Sequence, residues 1–182
     1  MTLITACGST KDTTDLIADK KFELCSEMRY NRLVTEFGPI EGKLIYKQNI
    51  HSLFENSLII EKYLTEISKN GYSELLKKVT RKEIKPEFFE KLKSDLGFDP
   101  DLLFPVNSDL SCYGYLIEQL NILDKSSWQY EFCLAHNKYE AYGNLKTDSQ
   151  YLIDVLNKIP DDKFQLIMYR KLFLDIIYRT LN

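Results

Sequence analysis

The chain has 182 residues, of which 44% are hydrophobic and 28% charged, and its formal net charge is −3. This balance excludes a strongly basic nucleic-acid-binding protein and an acidic disordered tail. The mean hydropathy is −0.30, and the absence of an uncharged apolar run of about 18 residues excludes a membrane-spanning helix. A chain of this size is expected to fold as one soluble globular domain without disulfides or metals.

The most specific pattern lies in the first ten residues, where an aliphatic and two small residues precede a cysteine and small residues follow it: Ile4-Thr5-Ala6-Cys7-Gly8-Ser9. This pattern resembles the lipobox of bacterial lipoproteins, in which a peptidase cuts before the cysteine and the thiol carries diacylglycerol. The resemblance implies lipidation of Cys7 and anchoring of the chain by two or three acyl chains. It also implies that Gly8, rather than an aspartate after the cysteine, directs the protein to the outer membrane of a Gram-negative cell.

The pattern departs from a complete export signal, which has a basic region and an apolar stretch of about 7–15 residues. Six residues precede Cys7 here, and none is charged. The lipoprotein interpretation therefore implies an upstream signal that is cut short, and the alternative is a cytoplasmic protein that buries Cys7. The small and polar residues after Cys7 predict a flexible tether. We thus expect a residual signal and tether over residues 1–14 and a single helical domain over residues 15–182.

The four cysteines add little to this choice of compartment. With Cys7 lipidated, at most one intrachain disulfide remains. Cys112 and Cys133 are the better pair, because they lie on separate predicted elements joined by a short connection, and an extracytoplasmic location permits the bond. The alternative is that these cysteines are small buried hydrophobic residues. Without a Cys-x-x-Cys motif and with only two histidines, we expect no metal site and no cofactor.

The rest of the chain predicts an all-α protein, a multi-helix bundle or orthogonal helical array with one short extended segment over residues 43–47. Seven glycines and five prolines are too few for the turns of a β-sandwich, and the longer segments have helical periodicity. The predicted helices cover residues 15–34, 49–70, 72–79, 86–96, 108–123, 128–142, 147–159 and 161–181. Leu24 is predicted to face inward, and Gly71 to end the second helix as its C′ residue. The last helix is apolar around most of its circumference and is expected at the centre, with Arg170 and Asp175 on its polar side.

Two pairs of residues are candidates for catalysis. His51 and Glu55 are four residues apart on one predicted helix, and such a pair can tune a general base. No nucleophile or oxyanion hole accompanies them, so we predict a solvated helix pair. Cys133 and His136 are three apart, but a thiolate nucleophile needs an exposed, electropositive site, and the apolar neighbours predict burial. Phosphate-binding loops and nucleophile elbows are absent, and the sequence therefore predicts a protein that is not an enzyme.

Two surface features are candidates for binding. The basic run over residues 77–85 could contact anionic lipid head groups in a tethered protein or RNA in a cytosolic one. Because Glu83 and Glu87 dilute the positive charge, we favour a solvated helix end. The predicted helix 128–142 carries four aromatic residues that are candidates for a protein interface, although we slightly favour a half-buried place in the core: Trp128, Tyr130, Tyr139 and Tyr142.

These observations predict a lipid-anchored periplasmic or cell-envelope protein that acts by binding another protein and does not bind nucleic acid. Immunity proteins that neutralise a toxin delivered into the periplasm include small helical lipoproteins of this kind, which is an analogy of size and location. The alternatives are a cytoplasmic helical interaction or regulatory protein and, less favoured, an enzyme with a Glu/His site.

Overall fold

The computed structural model describes residues 50–96 and 125–182, together with the single positions 20, 21, 23, 24 and 104. Within these residues the protein is all-α, as predicted. Its seven helices there are α1 Ile50–Ile60, α2 Lys69–Thr80, α3 Glu87–Leu96, α4 Trp128–Tyr142, α5 Gln150–Lys158, α6 Asp161–Phe164 and α7 Ile167–Leu181. The predicted extended segment and the helix over residues 108–123 lie outside the described residues. The four described positions of the first predicted helix are helical, and Leu24 is exposed there rather than facing inward.

Helix α7 forms the centre of the described fold, as its wide apolar arc predicts. Ten of its side chains are buried, and it packs against α1, α2 and α6. The single helix predicted over residues 161–181 is wrong, because Leu166 is extended between α6 and α7. The Arg170 guanidinium explains the break, since its Nη1 donates to the carbonyl oxygens of Phe164 and Gln165 at 2.9 and 2.6 Å. These two carbonyl oxygens therefore accept from Arg170 at the point where the helix is interrupted.

The end of α1 differs from the prediction of a helix that continues to residue 70. Lys62 has a left-handed backbone with φ 62°. The Lys62 amide donates to Ile59 O at 3.0 Å, and the Tyr63 amide donates to Leu58 O at 2.9 Å. These two bonds form a Schellman motif, with lysine where glycine is usual. Leu64 lies in the loop after α1 and is nevertheless buried. The apolar spacing of the sequence therefore continues past the end of the helix.

Gly71 does not end a helix, which corrects the second prediction for this region. It lies in the first turn of α2, where its amide donates to the Ser68 side chain at 3.0 Å as part of the N-terminal cap. An added Cβ would lie 2.2 Å from the Glu66 carbonyl oxygen. The glycine is therefore required by a close approach of two backbone segments.

Helix α2 ends in a second Schellman motif with Lys82 in the left-handed position, at φ 59°. The amides of Lys82 and Glu83 donate to the carbonyls of Val79 and Lys78, both at 2.9 Å. Helix α3 then buries its predicted apolar stripe, Phe88, Phe89 and Leu92. The Phe88 ring lies 6.1 Å from that of Phe54 on α1, and the Phe89 ring lies 5.5 Å from that of Tyr178 on α7.

Helices α4 and α5 pack side by side as a hairpin. The prediction for both helices is confirmed: α4 covers residues 128–142 and α5 ends before Pro160. Ser127 caps α4 by accepting from the Tyr130 amide. Asp148 Oδ1 accepts from the Gln150 amide at 2.8 Å at the start of α5. The connecting turn is closed by an antiparallel bridge between Asn144 and Asp148.

Candidate functional site

Two pairs of polar side chains, one of them the ion pair Glu55–Arg170, are buried between α1 and α7. His51 and Glu55, one turn apart on α1, pair with Asp175 and Arg170 respectively, and none of the four residues is more than 7% exposed. The predicted solvated His51–Glu55 pair is therefore wrong, and Arg170 and Asp175, predicted on the polar side of the last helix, are buried. The physical reason is that α7 is surrounded by other helices, so its polar residues also face inward. Helix α7 carries four charged residues, Arg170, Lys171, Asp175 and Arg179, and no local signal separates the two that pair with α1 from the others.

The first pair is bidentate and has a third member on α2. Arg170 Nε donates to Glu55 Oε1 at 2.7 Å, and Arg170 Nη2 donates to Glu55 Oε2 at 3.1 Å. The Tyr72 hydroxyl donates a short hydrogen bond to Glu55 Oε1. Burial, reinforced by the Glu55 carboxylate, raises the pKa of Tyr72 well above its usual value. The phenol therefore stays protonated and remains a hydrogen-bond donor, so both carboxylate oxygens are satisfied.

The second pair has the geometry of an oriented imidazole. His51 Nε2 lies 2.7 Å from Asp175 Oδ1. In catalytic triads the orienting carboxylate bonds Nδ1 and leaves Nε2 to the nucleophile, whereas here Asp175 contacts Nε2 itself. The Phe104 ring lies edge-on to the imidazole, with a centroid distance of 5.1 Å, and stacks on Tyr178. A triad histidine must reach a nucleophile and substrate, whereas this pair lies in the aromatic core. The arrangement holds α1 against α7.

Cys133 and His136 lie on the buried face of α4, as predicted. Burial raises the pKa of the Cys133 thiol to about 12 and lowers the pKa of His136 to about 4. At neutral pH the pair is therefore thiol and neutral imidazole, which is the opposite of the thiolate–imidazolium form that a nucleophile needs. The Cys133 thiol is free in the structure. Because Cys112 lies outside the described residues, the disulfide between them stays a prediction.

The four aromatic interface candidates lie on different sides of α4. Trp128 and Tyr139 pack against the core, and Trp128 makes an edge-on contact with Tyr169 at 5.3 Å. Tyr142 is 74% exposed, and Tyr130 is half-buried. Residues four apart share one helix face, so a row runs along the outer face of α4, opposite Phe132, Cys133 and His136. We call this row the outer row: Tyr130, Leu134, Lys138 and Tyr142.

A cleft of about 410 Å³ lies beside the outer row, between α4 and α5. An ion pair of 3.0 Å between Lys158 and Glu131 crosses it, and the Lys138 ammonium lies 5.3 Å from the centre of the Tyr151 ring. Leu134, which is 44% exposed, and Ala135 give it an apolar side. A second cleft, of about 300 Å³, lies at the ends of α4 and α7 and is lined by Tyr139, Glu140, Gly143, Asn144, Leu145, Lys146, Ile176, Arg179 and Thr180. Neither cleft is lined by a histidine.

Much of the basic run over residues 77–85 is engaged in local contacts. Lys77 pairs with Glu74 at 2.7 Å, and Arg81 pairs with Glu83 at 3.7 Å. The Lys78 ammonium donates to the carbonyl oxygens of Lys62 and Tyr63, at 3.3 and 2.9 Å, and so caps the end of α1. This contact could not be predicted from the sequence, because Lys62 and Tyr63 lie outside the run.

No set of three or more metal-binding side chains occurs in the part of the chain that the structure describes. In the same part, no helix has the length and apolar character needed to cross a bilayer. Searches against protein families, curated proteins and solved structures found no match to this chain.

Proposed function

We propose that this chain is a binding protein that contacts another protein through the outer row of α4 and is held at a membrane by a lipid on Cys7. The outer row carries the proposal. It combines exposed tyrosine and leucine side chains with a lysine, and it borders a cleft with an apolar side and charged edges. Aromatic and aliphatic residues surrounded by polar ones are typical of protein interfaces.

The described core supports binding over catalysis as the function of this chain. The only His–Asp pair that resembles catalytic machinery lies in the aromatic core, and burial keeps the Cys133 thiol protonated. A periplasmic or cell-envelope location follows from the lipobox resemblance and has its own test below. An immunity-type role against a toxin adds an analogy of size and location, and a toxin as the crosslinked partner would support it.

The outer row is tested by site-specific photo-crosslinking in the native host. A photoreactive phenylalanine at Tyr142 should give an adduct with one defined protein, and Leu134→Asp should abolish it. As the matched control, the same photoreactive residue is placed at Leu166. This position is 41% exposed, compared with 44% for Leu134, but it lies between α6 and α7. Adducts that are absent at Tyr142, or identical at Tyr142 and Leu166, would contradict the proposed interface.

The anchor is tested separately by mass spectrometry of the native gene product. We expect an amino-terminal cysteine carrying diacylglycerol and an amide-linked acyl chain, with the protein in the membrane fraction. Cys7→Ser should move it to the soluble fraction, whereas Cys25→Ser should not. An unmodified amino terminus in the soluble fraction would favour the cytoplasmic alternative.

A further inference from the structure

We propose that a second surface of this protein, formed where α1 and α2 end, binds an anionic phospholipid bilayer directly. The residues of this lysine surface are Lys62, Lys78, Lys82 and Lys85. It shares no residue with the outer row or with Cys7, and it therefore goes beyond the proposed function. The proposal depends on three observations: the convergence of the lysines, their backbone conformation and an exposed isoleucine beside them.

Hydrogen bonds join the end of α1, which carries Lys62, to residues 78–85, which carry the other three lysines. The Lys78 ammonium contacts the carbonyl oxygens of Lys62 and Tyr63. The Lys85 amide lies 3.3 Å from the Tyr63 hydroxyl, and Lys82 lies in the turn between Lys78 and Lys85. The surface is therefore made by folding and is larger than the basic run of the sequence.

Three of these lysines have no ion-pair partner among the described residues. Lys62, Lys82 and Lys85 are exposed, whereas the neighbouring Lys91 pairs with Glu61 and Arg81 pairs with Glu83. Glu87 is the exposed carboxylate that follows along the chain. Because Glu61 and Glu83 are paired with Lys91 and Arg81, Glu87 is left to offset the four lysines, and the local charge is positive in a chain whose net charge is −3.

Two of the lysines lie at backbone positions where glycine is the usual residue. Lys62 and Lys82 both have left-handed conformations, with φ 62° and 59°. Glycine is the usual residue at this position of a Schellman motif, because a side chain there is strained. Strained positions that recur on one surface are typical of functional sites.

The chemistry of the surface favours lipid over nucleic acid. Ile60, two residues before Lys62, is 70% exposed, and an apolar side chain beside lysines can enter the head-group region of a bilayer. Proteins that bind single-stranded nucleic acid stack bases on exposed aromatic rings. Here the nearby aromatic ring, that of Tyr63, packs edge-on against Phe88.

The test is co-sedimentation with lipid vesicles. The full chain carries Cys7→Ser, so that no acyl chain contributes to binding. We expect binding to vesicles that contain phosphatidylglycerol but not to pure phosphatidylcholine, and loss of binding as salt increases. The double variant Lys82→Gln/Lys85→Gln should weaken partitioning about 30-fold, since each lysine at an anionic surface contributes about fivefold. The matched control, Lys125→Gln/Lys146→Gln, removes the same charge from exposed positions elsewhere and should change binding less than about twofold.

Ile60→Ser distinguishes lipid from other polyanions. It should weaken binding to phosphatidylglycerol vesicles while leaving any binding to a single-stranded RNA oligonucleotide unchanged. The proposal is overturned if phosphatidylcholine vesicles bind equally well, if the control variant weakens binding as much as Lys82→Gln/Lys85→Gln, or if RNA binds more tightly than the anionic vesicles. Because neither Cys7 nor Tyr142 is needed here, a negative result leaves the proposed anchor and interface to their own experiments.

Discussion

Burial keeps the His136 imidazole neutral in the folded protein and lowers its pKa from 6.5 to about 4. The Glu140 carboxylate lies 3.7 Å from His136 Nε2, but its side chain is 46% exposed and offers the imidazolium only weak compensation. Between these two pH values the unfolded chain binds a proton that the folded chain does not. The free energy of unfolding should therefore decrease as the pH falls from 6.5 towards 4.

We expect this decrease to reach about 3 kcal/mol and to be largely absent in His136→Leu, which has no imidazole to protonate. Urea unfolding followed by the fluorescence of Trp128, the single tryptophan, measures it across this pH range. Asn137→Ala, at an exposed neighbouring position, serves as the control and should retain the wild-type pH profile. An unchanged profile in His136→Leu would show that other groups cause the acid sensitivity.

A second residue-scale prediction concerns Lys82, whose φ of 59° suits glycine better than lysine. Lys82→Gly should stabilise the protein by about 0.5–1 kcal/mol, because relief of left-handed strain exceeds the added entropy of the unfolded chain. Lys85→Gly is the control: among the described non-glycine residues, positive φ values occur only at Lys62 and Lys82, so it gains nothing. A loss of stability in Lys82→Gly, measured by thermal unfolding, would contradict the assignment of strain.

At the scale of elements, Gly71 decides how α2 begins. Alanine normally stabilises a helix by about 1 kcal/mol relative to glycine. A Cβ here would lie 2.2 Å from the Glu66 carbonyl oxygen, which is backbone and cannot rotate away. Gly71→Ala should therefore destabilise the protein, by about 2 kcal/mol or more. Ser73→Ala, which lies two residues later in the same helix, is the matched control in urea unfolding and should cause little change.

The docking of α1 on α7 depends on the pair Glu55–Arg170. Glu55→Leu and Arg170→Leu should each destabilise the protein by about 3–5 kcal/mol, because each leaves a buried charge without its partner. The double variant should cost less than the sum of the two single variants. The more exposed pair Lys91–Glu61 is the comparison, and Glu61→Gln should cost much less than either buried variant, because solvent screens the pair. Additive losses for Glu55 and Arg170 would show that the two side chains act independently.

Helix limits could be predicted where the signal is local. Ser127 directly precedes α4, and Pro160 lies just beyond the end of α5. Both helices lie where their periodicity predicts. The end of α1 could not be predicted, because its left-handed residue is a lysine rather than a glycine. The His51–Glu55 spacing was visible in the sequence. Their partners lie 124 and 115 residues away, and only the packing of α7 determines that both pairs are buried.

At the scale of the whole molecule, Cys133 reports on global unfolding. Its thiol is 1% exposed, and a protonated buried thiol does not react with alkylating reagents. We expect Cys133 to be alkylated only as fast as the core opens, and the modified peptide can be followed by mass spectrometry at increasing urea concentrations. Rapid labelling of Cys133 in the native protein would contradict the core packing. Labelling that requires both urea and a reductant would reveal the predicted bond to Cys112.

The long separation of the buried pairs has a consequence for protein synthesis. When α1 leaves the ribosome, the partner of Glu55 has not yet been translated, since Arg170 follows Glu55 by 115 residues. The uncompensated carboxylate keeps that segment hydrated, because burying a charge without its partner is costly. Synthesis of α7, rather than the emergence of the first helices, would then set the moment at which the core closes.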